Sequence, residues 1–178
     1  MEALPTRLRP FVMVAPHTGM RRGELRGLQW EHVDFSTGTI HVQQDKAGDG
    51  RWVTMNSAAR EALLSVKREQ KILSPYVFCS TTGRFMWNWE REWRPAVEAA
   101  SIPNFRFHDC RHTFASRLAM EGVDLYTVQR AGGWKTQVIV QRYAHLSPDH
   151  IKAAVERLAR PNSRVATGTK TGTDSQAG

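Results

Sequence analysis

Cysteine is scarce in this chain, and the sites that depend on it are not predicted. The two cysteines, Cys79 and Cys110, form no CxxC pair and no His/Cys cluster, so neither a zinc site nor a disulfide framework is indicated. We expect no metal and no cofactor, and a reduced, cytoplasmic setting fits. Cys110 falls on the apolar side of a predicted helix, where a small buried hydrophobe is the favoured interpretation.

The sequence also lacks long apolar runs and an excess of acidic residues. No apolar run approaches ~18 residues and the N-terminus has no signal-peptide pattern, which argues against a membrane span and against export by that route. Asp and Glu total 17 against 25 Lys and Arg, giving a net charge of +8. This balance favours an anionic partner, and nucleic acid is the commonest one.

What remains is the composition of one globular domain. The chain has 178 residues, of which 40% are hydrophobic, and this is enough for one well-buried core. Apolar spacing and turn residues predict a mostly helical α+β fold with a small antiparallel sheet. The predicted helices cover residues 3–15 (begun or kinked by Pro10), 22–28, 58–71 (capped by Ser57), 87–100, 109–121, 124–131, 136–143 (capped by Thr136) and 148–160. The predicted strands are 39–43 and 51–55, joined by a turn at 47–50, with a weak strand at 76–78, and a flexible tail begins at Pro161.

Four of the six tryptophans are interpreted as core. Trp89, Trp93 and Val97 recur at four-residue spacing, which favours a buried stripe over a platform for stacking bases. Trp30 and Trp52 are also assigned to the core.

The stretch from Phe107 to Leu146 carries the residues best suited to catalysis. A tyrosine hydroxyl such as that of Tyr143 is a poor nucleophile at neutral pH, because its ordinary pKa is about 10. Fixed cations that hold both the phenolate and a phosphate would make it a plausible one. His108 and Arg111 are spaced i, i+3 at the beginning of a predicted helix, where an anion is already favoured, so they indicate a phosphate site.

The order of motifs is far more specific than any one of them. Thr-Gly-Met-Arg-Arg-Gly-Glu-Leu occupies 18–25, Lys46 follows the first hairpin strand, and His-Asp-Cys-Arg-His-Thr-Phe-Ala-Ser occupies 108–116. Gly-Gly-Trp follows at 132–134, with Tyr143 nine residues after Trp134. Over residues 1–160 the chain resembles the catalytic domain of tyrosine recombinases, the phage-integrase family.

The resemblance implies a set of catalytic residues. Their roles would be to bind the scissile phosphate, protonate the leaving 5′-oxygen and attack phosphorus to form a 3′-phosphotyrosyl bond without metal or ATP. His108 would donate to the phosphate or relay the tyrosine proton. Arg21 matches the first arginine, Lys46 the hairpin lysine and Tyr143 the nucleophile. The complete set is Arg21, Lys46, His108, Arg111, Trp134 and Tyr143, supported by Glu24 and His112.

Other basic residues are assigned roles outside catalysis. Arg22, Arg26 and Arg142 are expected to contact the DNA backbone or solvent rather than to act in catalysis, and His112 and His145 are expected to be structural. His112 is placed near the site, and the field of the arginines is expected to favour the phenolate of Tyr143.

The resemblance also implies partners and alternatives. Double-stranded DNA, a homotetramer on two duplexes and accessory DNA-bending proteins are expected, with the protein associated with DNA in a bacterial cytoplasm. The family's N-terminal core-binding domain is not recognised, since nothing before Leu4 resembles it. Two alternatives to recombination stay open at this point: a type IB topoisomerase-like relaxing activity, and an inactive DNA-binding remnant.

Overall fold

The computed structural model of the chain describes residues 4–43, 50–85, 89–147 and Val155. The chain divides into two compact units, Met1–Pro148 and Asp149–Gly178, and the elements named below lie in the first. The predicted lysine turn, the predicted helix over 148–160 and the tail therefore lie outside the described residues, apart from Val155. Within them, no helix is long and apolar enough to cross a membrane.

Helices surround one small sheet, as the sequence predicts. The helices are α1 (Arg9–Thr18), α2 (Arg22–Arg26), α3 (Ser57–Glu69), α4 (Glu90–Ala99), α5 (Asp109–Met120), α6 (Leu125–Gly132) and α7 (Gln137–Gln141), with 3-10 turns at Thr6–Leu8, Trp30–His32 and Ala144–Leu146. The strands β1 (Val33–Asp34), β2 (Thr39–Val42) and β3 (Arg51–Thr54) pair antiparallel in that order. The mostly helical α+β fold is confirmed; β1 was not predicted.

A large core fills the space between α1, the sheet, α3 and α4. Phe11 is its centre, with ring centroids 4.8 Å from Phe107, 5.1 Å from Phe78 and 5.5 Å from Trp89. The predicted burial of Trp89, Trp93 and Val97 is confirmed, and so is that of Cys110.

A separate small core lies at the other end of α5. Its buried members among the described residues are Ala115, Ala119, Val128, Val140 and Tyr143, and Leu118, Val123, Leu125, Trp134 and Leu146 pack around them. α5 joins the two, since Cys110 at its start belongs to the large core and Ala115 and Ala119 belong to the small one.

Two local predictions are wrong because of side-chain geometry. Asn56 caps α3 instead of Ser57, since its Oδ1 accepts from the Ala59 amide at 2.9 Å. Trp52 is 65% exposed, because the alternation of β3 turns Val53 inward and Trp52 outward, where it stacks on His41 at 4.6 Å. Trp30 is only partly buried against the core.

Two predicted elements differ in extent. Residues 76–78 form no strand; Tyr76 makes only an isolated bridge to Gln29. The helix begun after Thr136 ends at Gln141, so Tyr143 lies beyond it, in the turn before Ala144–Leu146, and Thr136 makes no side-chain cap bond.

Candidate active site

Arg21 is fixed at the start of α2 by a reciprocal contact with Glu24. One carboxylate oxygen of Glu24 accepts from the Arg21 amide at 2.6 Å and the other from Arg21 Nη1 at 2.8 Å. The spacing i, i+3 allows this, because residue N3 of a helix faces back toward its N-cap. Arg21 Nη2 donates to the Gly133 carbonyl at 3.2 Å, so the guanidinium reaches the Gly-Gly turn while its side chain stays 44% exposed.

Arg111, on the first turn of α5, is almost fully buried. It is 3% exposed, donates from Nη1 to the Gly19 carbonyl, and lies with its Cζ 4.1 Å from the centre of the Trp134 ring. Gly19 is needed there, since it has φ of +64° and an added Cβ would come within 2.5 Å of the Phe114 ring. Burial, with Arg21 and Arg51 nearby, lowers the pKa of Arg111 to about 10, which leaves it charged at neutral pH.

Arg51 joins this cluster, and it was missed in the sequence. Its Nη2 donates to Glu24 at 2.9 Å, its side chain is only 15% exposed, and burial lowers its pKa while Glu24 opposes that change. It packs against Gly133, where an added Cβ would lie 2.2 Å from Arg51 Nε. Arg51 is half-buried at the start of β3. Its partner Glu24 lies 27 residues earlier in the chain, and only the fold brings the two side chains together.

Three guanidiniums therefore face one carboxylate, which leaves positive charge uncompensated. Within the part of the chain that the structure describes, Arg111 Nη2 and Arg51 Nε and Nη1 are buried without a hydrogen-bond partner. Buried donors are normally paired, so unpaired ones beside an excess of cations indicate a site prepared for an anion. A phosphodiester shares one negative charge between two non-bridging oxygens, and a guanidinium fork can donate to both of them.

His108 stands at the entrance of this cation cluster. It is the N-cap residue of α5, it is exposed, and burial followed by the charge of Arg111 lowers its pKa. Its ring contacts that of His112 edge-on, with centroids 5.2 Å apart.

Tyr143 belongs to the small core. It is 5% exposed, and its hydroxyl is hydrogen-bonded to His112 Nδ1. Burial raises the pKa of Tyr143, although Arg142 and Arg111 act in the opposite direction. The field of the arginines therefore favours the phenolate, as expected, but in the free chain desolvation outweighs that field and the pKa of Tyr143 is raised. His112, expected to be structural and near the site, contacts the candidate nucleophile directly.

Three further predicted residues lie among the described ones, and one does not. Lys46 lies outside the described residues. Arg22 pairs with Glu90 at 2.5 Å, Arg26 stacks over the Phe85 ring at 4.7 Å, and Arg142 is exposed next to Tyr143. No group of three or more metal-ligating side chains occurs among the described residues.

Known proteins resemble this chain over most of its length. The model of the phage integrase family matches residues 1–150. The integrase of Salmonella phage P22 is 33% identical over 81% of this chain and 40% of its own length. A crystal structure of the XerA recombinase, 29% identical, covers 88% of this chain and 59% of that one with a TM-score of 0.70. The catalytic domain of the bacteriophage HP1 integrase, 25% identical, covers 84% of this chain and 81% of its own with a TM-score of 0.63.

The matches cover only part of the curated relatives. The chain spans about half the length, or less, of the curated relatives it matches. The match of the family model runs from the first residue to just past the candidate nucleophile and includes every predicted site residue. The chain belongs to the phage integrase family.

Proposed function

We propose that this chain is the catalytic part of a site-specific DNA recombinase, and that it cuts and rejoins double-stranded DNA through a covalent bond to Tyr143. The observation that carries the proposal is the cluster of Arg21, Arg51 and Arg111. Among the described residues, Arg111 Nη2 and Arg51 Nε and Nη1 are buried without a hydrogen-bond partner, and the buried Tyr143 is hydrogen-bonded to the residue that follows Arg111 on α5. Membership of the phage integrase family supports it, and so do relatives named as integrases and recombinases.

In the proposed step, Tyr143 Oη attacks the scissile phosphorus and the P–O bond to the 5′-oxygen breaks. One phosphate ester replaces another, so the step needs no ATP. Negative charge gathers on the two non-bridging oxygens in the transition state, where Arg21 and Arg111 would bind them. Arg111 has few ways to move, because Gly19 and Trp134 hold it from two sides.

The other predicted residues take supporting roles. Lys46 is the candidate acid that protonates the leaving 5′-oxygen, and His108, exposed at the entrance, would donate to the phosphate. Trp134 buttresses Arg111 with its ring face. Glu24 keeps Arg21 and Arg51 in place, and Arg22, Arg26 and Arg142 would meet the DNA backbone.

Recombination requires two duplexes, so we also propose a homotetramer assembled on DNA, aided by accessory bending proteins. The predicted helix over 148–160 would pack on a neighbouring subunit. Deleting it should weaken synapsis more than cleavage, and an equal loss of both would contradict that assignment.

Covalent capture tests the chemistry. The wild type, Tyr143→Phe and the matched control Tyr126→Phe, which changes a tyrosine that is 57% exposed on α6, would be incubated in EDTA with a pool of nicked duplexes and resolved on denaturing gels. We expect an adduct with the wild type and with Tyr126→Phe, and none with Tyr143→Phe.

The other outcomes are equally informative. An adduct that survives Tyr143→Phe would place the nucleophile elsewhere. DNA retention without any adduct, even with a clamping domain fused at the N-terminus, would favour an inactive DNA binder. Relaxation of supercoiled DNA without strand exchange would favour a topoisomerase-like activity.

A further inference from the structure

His112 occupies a position that the proposed chemistry has not used. It follows Arg111 directly on α5, and its Nδ1 is hydrogen-bonded to the Tyr143 hydroxyl. The two rings lie 6.2 Å apart, and His112 is half-buried while Tyr143 is buried. Among the described residues, His112 is the hydrogen-bond partner of this hydroxyl, and His108 touches His112 instead.

The surroundings of His112 keep its imidazole neutral. Burial lowers its pKa first, and the neighbouring His108 lowers it further; Asp109 opposes this, while Arg142 and Arg106 add to it. These groups come from α5 itself, from the segment before it and from the tyrosine segment. With its pKa below the ordinary value of 6.5, the ring carries a free nitrogen lone pair at neutral pH.

Tyr143 needs such a neighbour. Because burial raises its pKa, little phenolate forms spontaneously, and the proton must leave as the hydroxyl oxygen attacks. The arginines cannot accept this proton, since guanidinium has no free lone pair at neutral pH.

We propose that His112 is the proton acceptor for Tyr143: its Nδ1 takes the phenolic proton while Tyr143 Oη bonds to phosphorus. The proposal rests on the function proposed above. The Oη–H bond and the P–O5′ bond break, the Oη–P bond and the Nδ1–H bond form, and the 5′-oxygen receives its proton from the candidate acid or from water. In the rejoining step the imidazolium returns its proton to Tyr143, and its charge stabilises the phenolate as that leaves phosphorus.

The tautomer of His112 tests the proposal without any DNA. An acceptor Nδ1 requires the neutral ring to carry its proton on Nε2, which nitrogen NMR of the uniformly labelled chain reads directly. We expect the Nε2–H tautomer, and we expect Tyr143→Phe to raise the pKa of His112, because the lost hydrogen bond stabilised the neutral ring. An Nδ1–H tautomer would overturn the proposal, since the ring would then donate to the phenol.

Kinetics test it with DNA recovered from the capture experiment. His112→Asn keeps an amide oxygen that can accept the hydrogen bond, but it cannot take a proton. We expect single-turnover adduct formation to fall about 10²–10⁴-fold, the range of general base catalysis. The wild-type rate should decline at pH below 6.5 as His112 becomes protonated, and the variant should no longer show this decline. The matched control is His145→Asn, which changes an exposed histidine two residues after Tyr143 and should leave rate and pH profile unchanged.

The outcomes separate three cases. A rate that is unchanged or faster in His112→Asn would show that the contact only restrains Tyr143, and the proposal would fall. A slower rate with the pH profile intact would make His112 a positioning residue and would also overturn it. If the wild type forms no adduct at all, the proposed function fails, and the tautomer still decides whether His112 can accept the proton.

Discussion

The two cores of the domain hold the two halves of the candidate site in different ways. The large core supports the cations: Arg21, Arg51 and Glu24 form ion pairs within 3 Å, and Leu25 of α2 and Val53 of β3 belong to that core. The small core holds Tyr143 with a few aliphatic side chains and one hydrogen bond to His112. A partly buried cluster of mutually paired charges resists displacement, whereas a thin apolar cluster can open at low cost.

α5 is where the two halves meet. Cys110 anchors its start in the large core, Arg111 and His112 follow on its first turn, and Ala115 and Ala119 face the small core. The phosphate site can therefore stay fixed while the segment with Tyr143 adjusts to DNA.

Phe11→Ala should have the largest effect, because it removes the ring at the centre of the large core. Loss of a buried phenylalanine costs about 3–5 kcal/mol of unfolding free energy. Chemical denaturation with the wild type as reference measures it. A loss below about 1 kcal/mol would show that the large core is not the main support of the fold.

Arg111→Met should separate activity from stability. Removing one donor for the transition-state charge should slow adduct formation about 10²–10³-fold, or about 2.7–4 kcal/mol. Unfolding free energy should stay level or rise, because an apolar side chain escapes the desolvation of a buried charge. A large loss of stability would mean that Arg111 holds the fold rather than the phosphate.

Arg51→Met should slow adduct formation about tenfold, or ~1.4 kcal/mol, by loosening Glu24 and through it Arg21. If Arg51 acts through Glu24, the double variant with Glu24→Gln should be no slower than the slower single variant. The matched control is Arg68→Met, which breaks an exposed 2.7 Å pair with Glu61 and should change little. Fully additive effects would give Arg51 an independent role.

Val140→Ala should have the most local effect. Two lost methylene equivalents are worth about 1.6 kcal/mol. We expect faster amide hydrogen exchange in α6 and α7, with exchange in α1 and α3 unchanged. Equal acceleration in all four helices would mean that the two cores open together, and the comparison would fail.

The sequence predicted what local spacing determines. Arg21 and Glu24, or His108 and Arg111, lie three residues apart at helix starts, so their proximity needs no tertiary information. Arg51 was missed because its partner Glu24 is 27 residues away and meets it only through the hairpin. The exposure of Trp52 depends on which face of β3 is covered, and the place of Tyr143 depends on where α7 stops; neither follows from composition. The role of Lys46 stays a prediction.

Peptide mapping of the trapped adduct tests the central claim most directly. Tryptic cleavage places the three tyrosines in separate peptides, residues 72–84, 118–130 and 143–152. After nuclease digestion of the captured DNA, mass spectrometry should find the residual nucleotide phosphate on Tyr143, in 143–152 or in 136–152 if the modified tyrosine blocks cleavage after Arg142. A nucleotide on the peptide of Tyr76 or Tyr126 would contradict the account.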